Sequence, residues 1–292
     1  MPISDQSRAP RLLVLADGAA VIGAMSAYVT STSHFGADSF EVSVALSADP
    51  AMGAAFWADA TNVVLEVQVS LGFEFVSLVT GYVDQVTIDP LHEVAQLAGR
   101  DLASQLIEAP TTETFANRTS SQVAALVAGR HGLAANVQQT TTPVGRYWQL
   151  EHDRMTLDQF SRATTEWDLL VGLAEREGFD LWVSGPTLNF VPTPTTVAPE
   201  SVLRPVATLN GPPNVTSLRM ERALTLARAL TVTVKSWHSK MAQTFVQSAT
   251  SAPSNSAGAA TGQYNFVLPN LTPGVALQIA QQKLTELSSM NA

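Results

Sequence analysis

Five histidines and twenty-five carboxylates are the acid–base and metal-ligating side chains that this 292-residue chain offers, and it has no cysteine. The histidines are His34, His92, His131, His152 and His238, and no two stand four apart as in a helical zinc site. Glu151-His152-Asp153 is the one tight run of metal-capable side chains. Neighbours on a strand point to opposite faces, so the run reads as a solvated loop and not as a ligand set. The absence of cysteine excludes disulfides and thiolate metal sites. No G-x-S-x-G elbow, P-loop or G-x-G-x-x-G turn is present, which leaves phosphate and nucleotide readings without support. Glu175 and Glu177 are candidates for a glycosidase pair, but beside Arg176 they read as a charged helix end. The expectation is no catalytic residue, no metal and no cofactor.

Aromatic and glycine-flanked residues offer binding chemistry instead. Trp57 and Trp148 are candidates for stacking on a glycan, whereas Trp167 and Trp182 sit in apolar patterns that read as core. Arg146, Tyr147 and Trp148 combine the residue types that anchor interfaces, and a core strand is the other reading of the same run. Gly81, Asp84, Gly99, Arg100 and Asp101 punctuate a β-rich stretch. Arg100 and Asp101 could act in catalysis, but an ion pair or turn clamp is the commoner role. A glycine at a strand end permits close backbone approach.

The elements that must position these residues begin as antiparallel β. Asp17-Gly18 between two β-prone runs signals a type I′ hairpin. Phe40, Val42, Val44 and Leu46 alternate as in a half-buried strand. A short helical excursion over "DPAMGAAFWADA" and three further strands give about six strands in about 100 residues, the spacing of a small barrel or sandwich. Thr119 to Gln122 fits a capping box, and Gly132 ends the helix that follows. Thr156 to Gln159 repeats the box ahead of a helix with Phe160, Ala163, Trp167, Leu170, Leu173 and Ala174 on one face, ended by Gly178. A hairpin turns at Ser184-Gly185-Pro186. Residues 192–214 read as a linker. Strands return around Leu230, Val232 and Val234, then a low-complexity loop, a strand at "YNFVL", and a helix opened by Thr272-Pro273. Val275, Ile279, Ala280, Leu284 and Leu287 form its apolar face.

The chain is 46% hydrophobic and 14% charged, enough for a core and sparing for a lone monomer. A weakly charged bacterial protein is the alternative reading. Residues 1–100 carry three basic and eleven acidic groups, a net of −8. Residues 204–240 carry Arg204, Arg219, Arg222, Arg228, Lys235 and Lys240 against Glu221, a net of +5. Unlike surfaces of this kind favour self-association. Basic groups are not interleaved with aromatics along a groove, which argues against nucleic-acid binding. Neither a signal peptide nor a run of roughly 20 apolar residues is seen, so the protein is expected in the cytosol when made.

The succession "GYVDQVTI…HEVAQLAGRDLASQLIEA", "ETFANRTSSQVAALVAGRHGL" and "TTEWDLLVGLAEREGFDLWVSGPTLNFVP" resembles the tail hub proteins of contractile-tailed phages, the late control D family, related to the hub part of type VI secretion VgrG spikes. The resemblance spans most of residues 10–240. It implies an α+β, mainly β fold: two small antiparallel β-barrel-like domains (1–108 and 196–292, the second possibly incomplete) separated by a small α+β domain (109–195). Family members usually continue past the final helix, so an unusually short region, completion by a partner, or a sequence that is itself partial is expected here. The resemblance further implies a trimer whose six barrels form a ring joining the sixfold tail tube to the threefold central spike. Other baseplate proteins would be neighbours, DNA would pass through the lumen without specific binding, and assembly would occur in the bacterial host cytoplasm without membrane insertion. Gly81, Asp84, Gly99, Arg100 and Asp101 would then set architecture at the exit of the first barrel. A peptidoglycan- or glycan-acting tail enzyme and a glycan-binding module are the alternatives.

Overall fold

The computed structural model describes residues 10–32, 35–70, 74–111, 115, 118–141, 143–144, 165–194, 219, 230–238, 242–251, 262–268 and 271–289. The chain divides into two compact units, Met1–Val144 with Gln159–Pro192, and Gly145–Asp158 with Thr193–Ala292.

In the first unit seven antiparallel strands run in the order β2-β1-β5-β6-β7-β4-β3. They are β1 (Arg11–Ala16), β2 (Ala19–Ala20), β3 (Ala24–Thr30), β4 (Ser39–Ala45), β5 (Val64–Ser70), β6 (Val76–Asp89) and β7 (Val94–Asp101). Asp17 and Gly18 both have positive φ, as the β1–β2 turn requires. Period-2 alternation sends Val14, Phe40, Val42, Val44, Leu65, Val67, Ala95 and Leu97 to one face, where they share a core. Helix α1 (Ala54–Asp59) drops Trp57 into that core at 1% exposure.

The barrel-like domain expected here is an antiparallel sheet that does not close. Its edge strands β2 and β3 share no ladder. Strand β2 is two residues long, too short to close the seam. A bond from Val21 N–H to the Val14 carbonyl (2.8 Å) extends the β1–β2 ladder and one from Ala45 N–H to the Gly23 carbonyl (2.9 Å) extends the β3–β4 ladder, so the segment between the two edge strands is tied to β1 and to β4.

A second core follows in the same unit. Helices α3 (Ser120–Arg130) and α4 (Glu166–Glu177) pack with the sheet β11-β12-β9, formed by β9 (Ala134–Val137), β11 (Phe179–Ser184) and β12 (Thr187–Pro192). Short helix α2 (Ser104–Glu108) lends Leu106, and a two-stranded ladder pairs β8 (Arg118–Thr119) with β10 (Pro143–Val144). The capping box of Thr119 and Gln122 forms as the sequence indicates. Helix α4 starts at Glu166: Thr165 is extended and caps it, in a second box with Asp168. The Thr156–Gln159 motif, Phe160 and Ala163 lie outside the described residues. Trp167 is buried as expected. Trp182 is 38% exposed, because Leu181 and Val183 take the inward phase of β11.

In the second unit β13 (Leu230–His238) pairs antiparallel with β14 (Gln243–Thr250) and parallel with β15 (Gly262–Val267). Helix α5 (Pro273–Ser289) lays Ala276, Ile279, Ala280, Leu284 and Leu287 on Val232, Val234, Tyr264 and Phe266. The Leu271 N–H donates to Ser236 Oγ (2.8 Å) just ahead of the helix. The described strands form an open three-stranded sheet, and residues 196–218, 220–229 and 252–261 of the expected barrel-like domain lie outside the described residues.

Trp57→Ala should lower stability by about 3–5 kcal/mol, the usual cost of emptying a core aromatic site. Urea unfolding monitored by far-UV circular dichroism measures it.

Candidate functional site

The most densely bonded polar cluster among the sequence-selected residues lies where β6 and β7 meet. The ladder pairs Gly81 with Asp101, Tyr82 with Arg100 and Val83 with Gly99, then skips Asp84 in a bulge. Both glycines are required by space. A Cβ on Gly81 would lie 1.9 Å from the Arg100 carbonyl oxygen, and one on Gly99 would lie 2.0 Å from that of Tyr82 and 2.5 Å from the Phe40 ring.

The bulge brings Asp84 to Arg100. Arg100 Nε donates to Asp84 Oδ2 (2.6 Å) and Nη2 to Asp84 Oδ1 (3.0 Å), and Nη2 also reaches Glu108 Oε1 at the end of α2. The hydrogen bonds it donates to Asp84, then the one to Glu108, hold the guanidinium still further above its ordinary value. These groups are partly solvated, so the pair contributes modestly to stability, its bidentate geometry adding specificity.

Asp101, the next residue, points the opposite way and is 6% exposed. Its Oδ1 accepts the Ala103 N–H (2.9 Å) and its Oδ2 the Asp38 N–H (3.1 Å). Its backbone N–H donates to the Asp38 carbonyl (2.9 Å), and its carbonyl accepts from Ser104 Oγ (2.8 Å). Burial pushes the Asp101 carboxyl up to about 6, the two backbone N–H donors opposing the rise and the Asp38 charge adding to it. The loop held through Asp38 is itself folded by that residue, whose carboxylate accepts from Ser31 Oγ (2.9 Å) and Thr32 N–H (2.7 Å). Phe35 and Ala37 of the same loop pack on the second core, and Trp167 Nε1 donates to the Phe35 carbonyl (2.8 Å). Arg100 and Asp101 thus grip α2 at both ends and tie the rolled sheet to the helical core.

A second cluster escaped the sequence. Arg130 Nη1 donates to Glu166 Oε1 (3.0 Å), and His131 Nε2 lies 2.6 Å from Glu166 Oε2. At the other end Ser120 Oγ donates to Glu177 Oε1 (2.6 Å). Helices α3 and α4 are therefore antiparallel. The cationic end of α3 meets the acidic start of α4, as the helix dipoles favour. The only sequence signal was the basic Arg130-His131 pair at a helix end.

These contacts describe a joint. Asp84 is engaged by a guanidinium and is not a free base. A cleft of about 240 Å³ beside it is lined by Trp57, Asn62, Val63, Val83, Gln85 and others. Among the described residues no three His, Asp or Glu side chains gather to hold a metal ion. Trp57, a candidate glycan platform, offers no exposed ring face, which corrects that expectation. Arg146, Tyr147, Trp148 and Glu151-His152-Asp153 lie outside the described residues. Among the described residues no helix is long and apolar enough to cross a membrane.

No protein-family model matches the chain, and no curated protein matches its sequence. In fold it is similar to a tail protein from Neisseria meningitidis MC58, at 15% identity and a TM-score of 0.66, over 96% of this chain and 78% of that one. It is similar over the same shares to the 43 kDa tail protein of prophage MuSo2 from Shewanella oneidensis, at 16% identity and a TM-score of 0.61. The Francisella PdpA-VgrG complex matches at a TM-score of 0.41 and 8% identity, over 90% of this chain and 36% of that one, too distant to argue from. The α+β, mainly β fold of this chain is that of phage tail proteins.

The raised Asp101 carboxyl sets a pH dependence. The folded state binds this proton more tightly than the unfolded chain, so protonation favours folding. The contribution is fully present below about pH 4 and is lost as pH rises through about 6. Relative to Asp101→Asn, which does not titrate, the wild type should lose about 2–3 kcal/mol between those limits. Urea unfolding at a series of pH values tests this, and parallel curves for the two proteins would contradict it.

Proposed function

We propose that the chain is a structural hub protein of a contractile phage tail or phage-like particle. The observation that carries this reading is the fold shared with two tail proteins over 96% of the chain. In the proposed assembly three copies form a pseudo-sixfold ring that joins the sixfold tail tube to the threefold central spike, with other baseplate proteins around it. Binding and shape are its function, and it carries out no reaction. Gly81, Asp84, Gly99, Arg100 and Asp101 serve architecture: they fix the angle at which the rolled sheet meets the helical core, and so the surfaces that copies present to one another. The three-part division at 108 and 195 belongs to the same reading.

Charge supports the arrangement. The first hundred residues carry a net of −8 and residues 204–240 a net of +5, so unlike regions of neighbouring copies would attract and close a heterologous ring. An acidic lumen would let DNA pass without holding it. The particle would assemble in the host cytoplasm.

Light scattering on the purified chain should give three times the chain mass at low salt and a smaller species as salt rises. A trimer insensitive to salt would refute the electrostatic part, and a monomer at every condition would refute self-assembly into a ring.

A further inference from the structure

Two exposed features take part in neither core of the first unit nor in the core of the second. One is the hairpin tip between β6 and β7. Asp89 Oδ1 accepts the N–H groups of Leu91 (3.0 Å) and His92 (3.1 Å), and Asp89 Oδ2 lies 2.6 Å from His92 Nδ1. Glu93 adopts a left-handed φ of 51°, and its carbonyl accepts the Leu46 N–H (2.8 Å). The tip is thus fixed by its own bonds, and it displays Leu91 at 90% exposure between two carboxylates. An apolar group held ready in this way loses little freedom on docking.

The other feature is the outer face of the β14-β13-β15 sheet, opposite the face that α5 covers. The register sets Lys235 beside Val246 on β14 and Val267 on β15. Trp237 lies two residues along β13, on the same face. Trp237, Val246 and Val267 are 52%, 52% and 76% exposed, and Lys235 is exposed among them. An apolar patch with an ammonium at its centre complements an apolar knob with an acidic rim.

We propose that the β6–β7 hairpin tip of one copy docks on the outer face of the β14-β13-β15 sheet of a second copy. Leu91 seats against Trp237, Val246 and Val267, while Glu93 approaches Lys235. The two patches differ, so the contact is head-to-tail and is satisfied throughout only in a closed ring. The inference rests on the ring reading and adds to it the pair of surfaces that meet.

Sedimentation equilibrium of the full chain tests the contact. Leu91→Asp and Lys235→Glu should each weaken self-association about tenfold or more, and Glu93→Lys combined with Lys235→Glu should recover it. Val267→Ser, a second probe of the same face, should weaken it as well. All these positions are exposed, so thermal unfolding should match the wild type. Single variants that assemble like an assembling wild type would overturn the contact and leave the ring reading standing. Failure of the double variant to recover would overturn the pairing of Glu93 with Lys235. A wild-type chain that sediments as a monomer at every concentration would overturn both the contact and the ring.

Discussion

A buried carboxylate at the end of β7 is the constraint on which the first unit depends. Asp101 is nearly free of solvent yet carries a charge at neutral pH, which is costly unless donors surround it. The donors present are the backbone N–H groups of Ala103 and Asp38. They come from segments that must each be in place: the entry to α2, and the loop that carries Phe35 and Ala37 to the helical core. One residue therefore couples strand, helix and loop. Because Arg100 faces the other way, its bond to Glu108 fixes the far end of the same helix. The glycines beneath keep the strands close enough for this, since a side chain at either would strike a carbonyl of the neighbouring strand.

Local features of this fold are legible in the sequence because they are settled by local physics. The Asp17-Gly18 turn, the Thr119 capping box, the stop at Gly178 and the apolar face of α5 each depend on a few neighbouring residues. The openness of the sheet was not legible. It turns on the absence of a ladder between β2 and β3 once long-range pairings, such as Arg11 with Ser70 and Ser39 with Arg100, have set the strand order, and no window of residues contains those pairings. Trp182 shows a subtler failure. "FDLWV" is apolar at three successive positions, and composition alone does not say which phase of the strand faces inward. Trp57 is a candidate surface platform by type alone, but a short helix folds it back into the sheet.

The candidate site divides along the same line. Gly81, Asp84, Gly99, Arg100 and Asp101 stood out by type, and the structure brings them together at one strand end. Their partners did not stand out. Asp38 is 63 positions from Asp101, and Glu166 is 35 from His131, so neither contact leaves a local mark. The site ties two cores of the first unit together, in a chain whose fold is that of phage tail proteins.

We propose that copies of this chain close into a ring of alternating unlike parts. Electron microscopy of the purified protein in low-salt buffer, with class averages viewed down the particle axis, tests it most directly. The account predicts six-lobed rings in which alternate lobes differ, giving threefold symmetry. Isolated single-chain particles, or rings of any other symmetry, would contradict it.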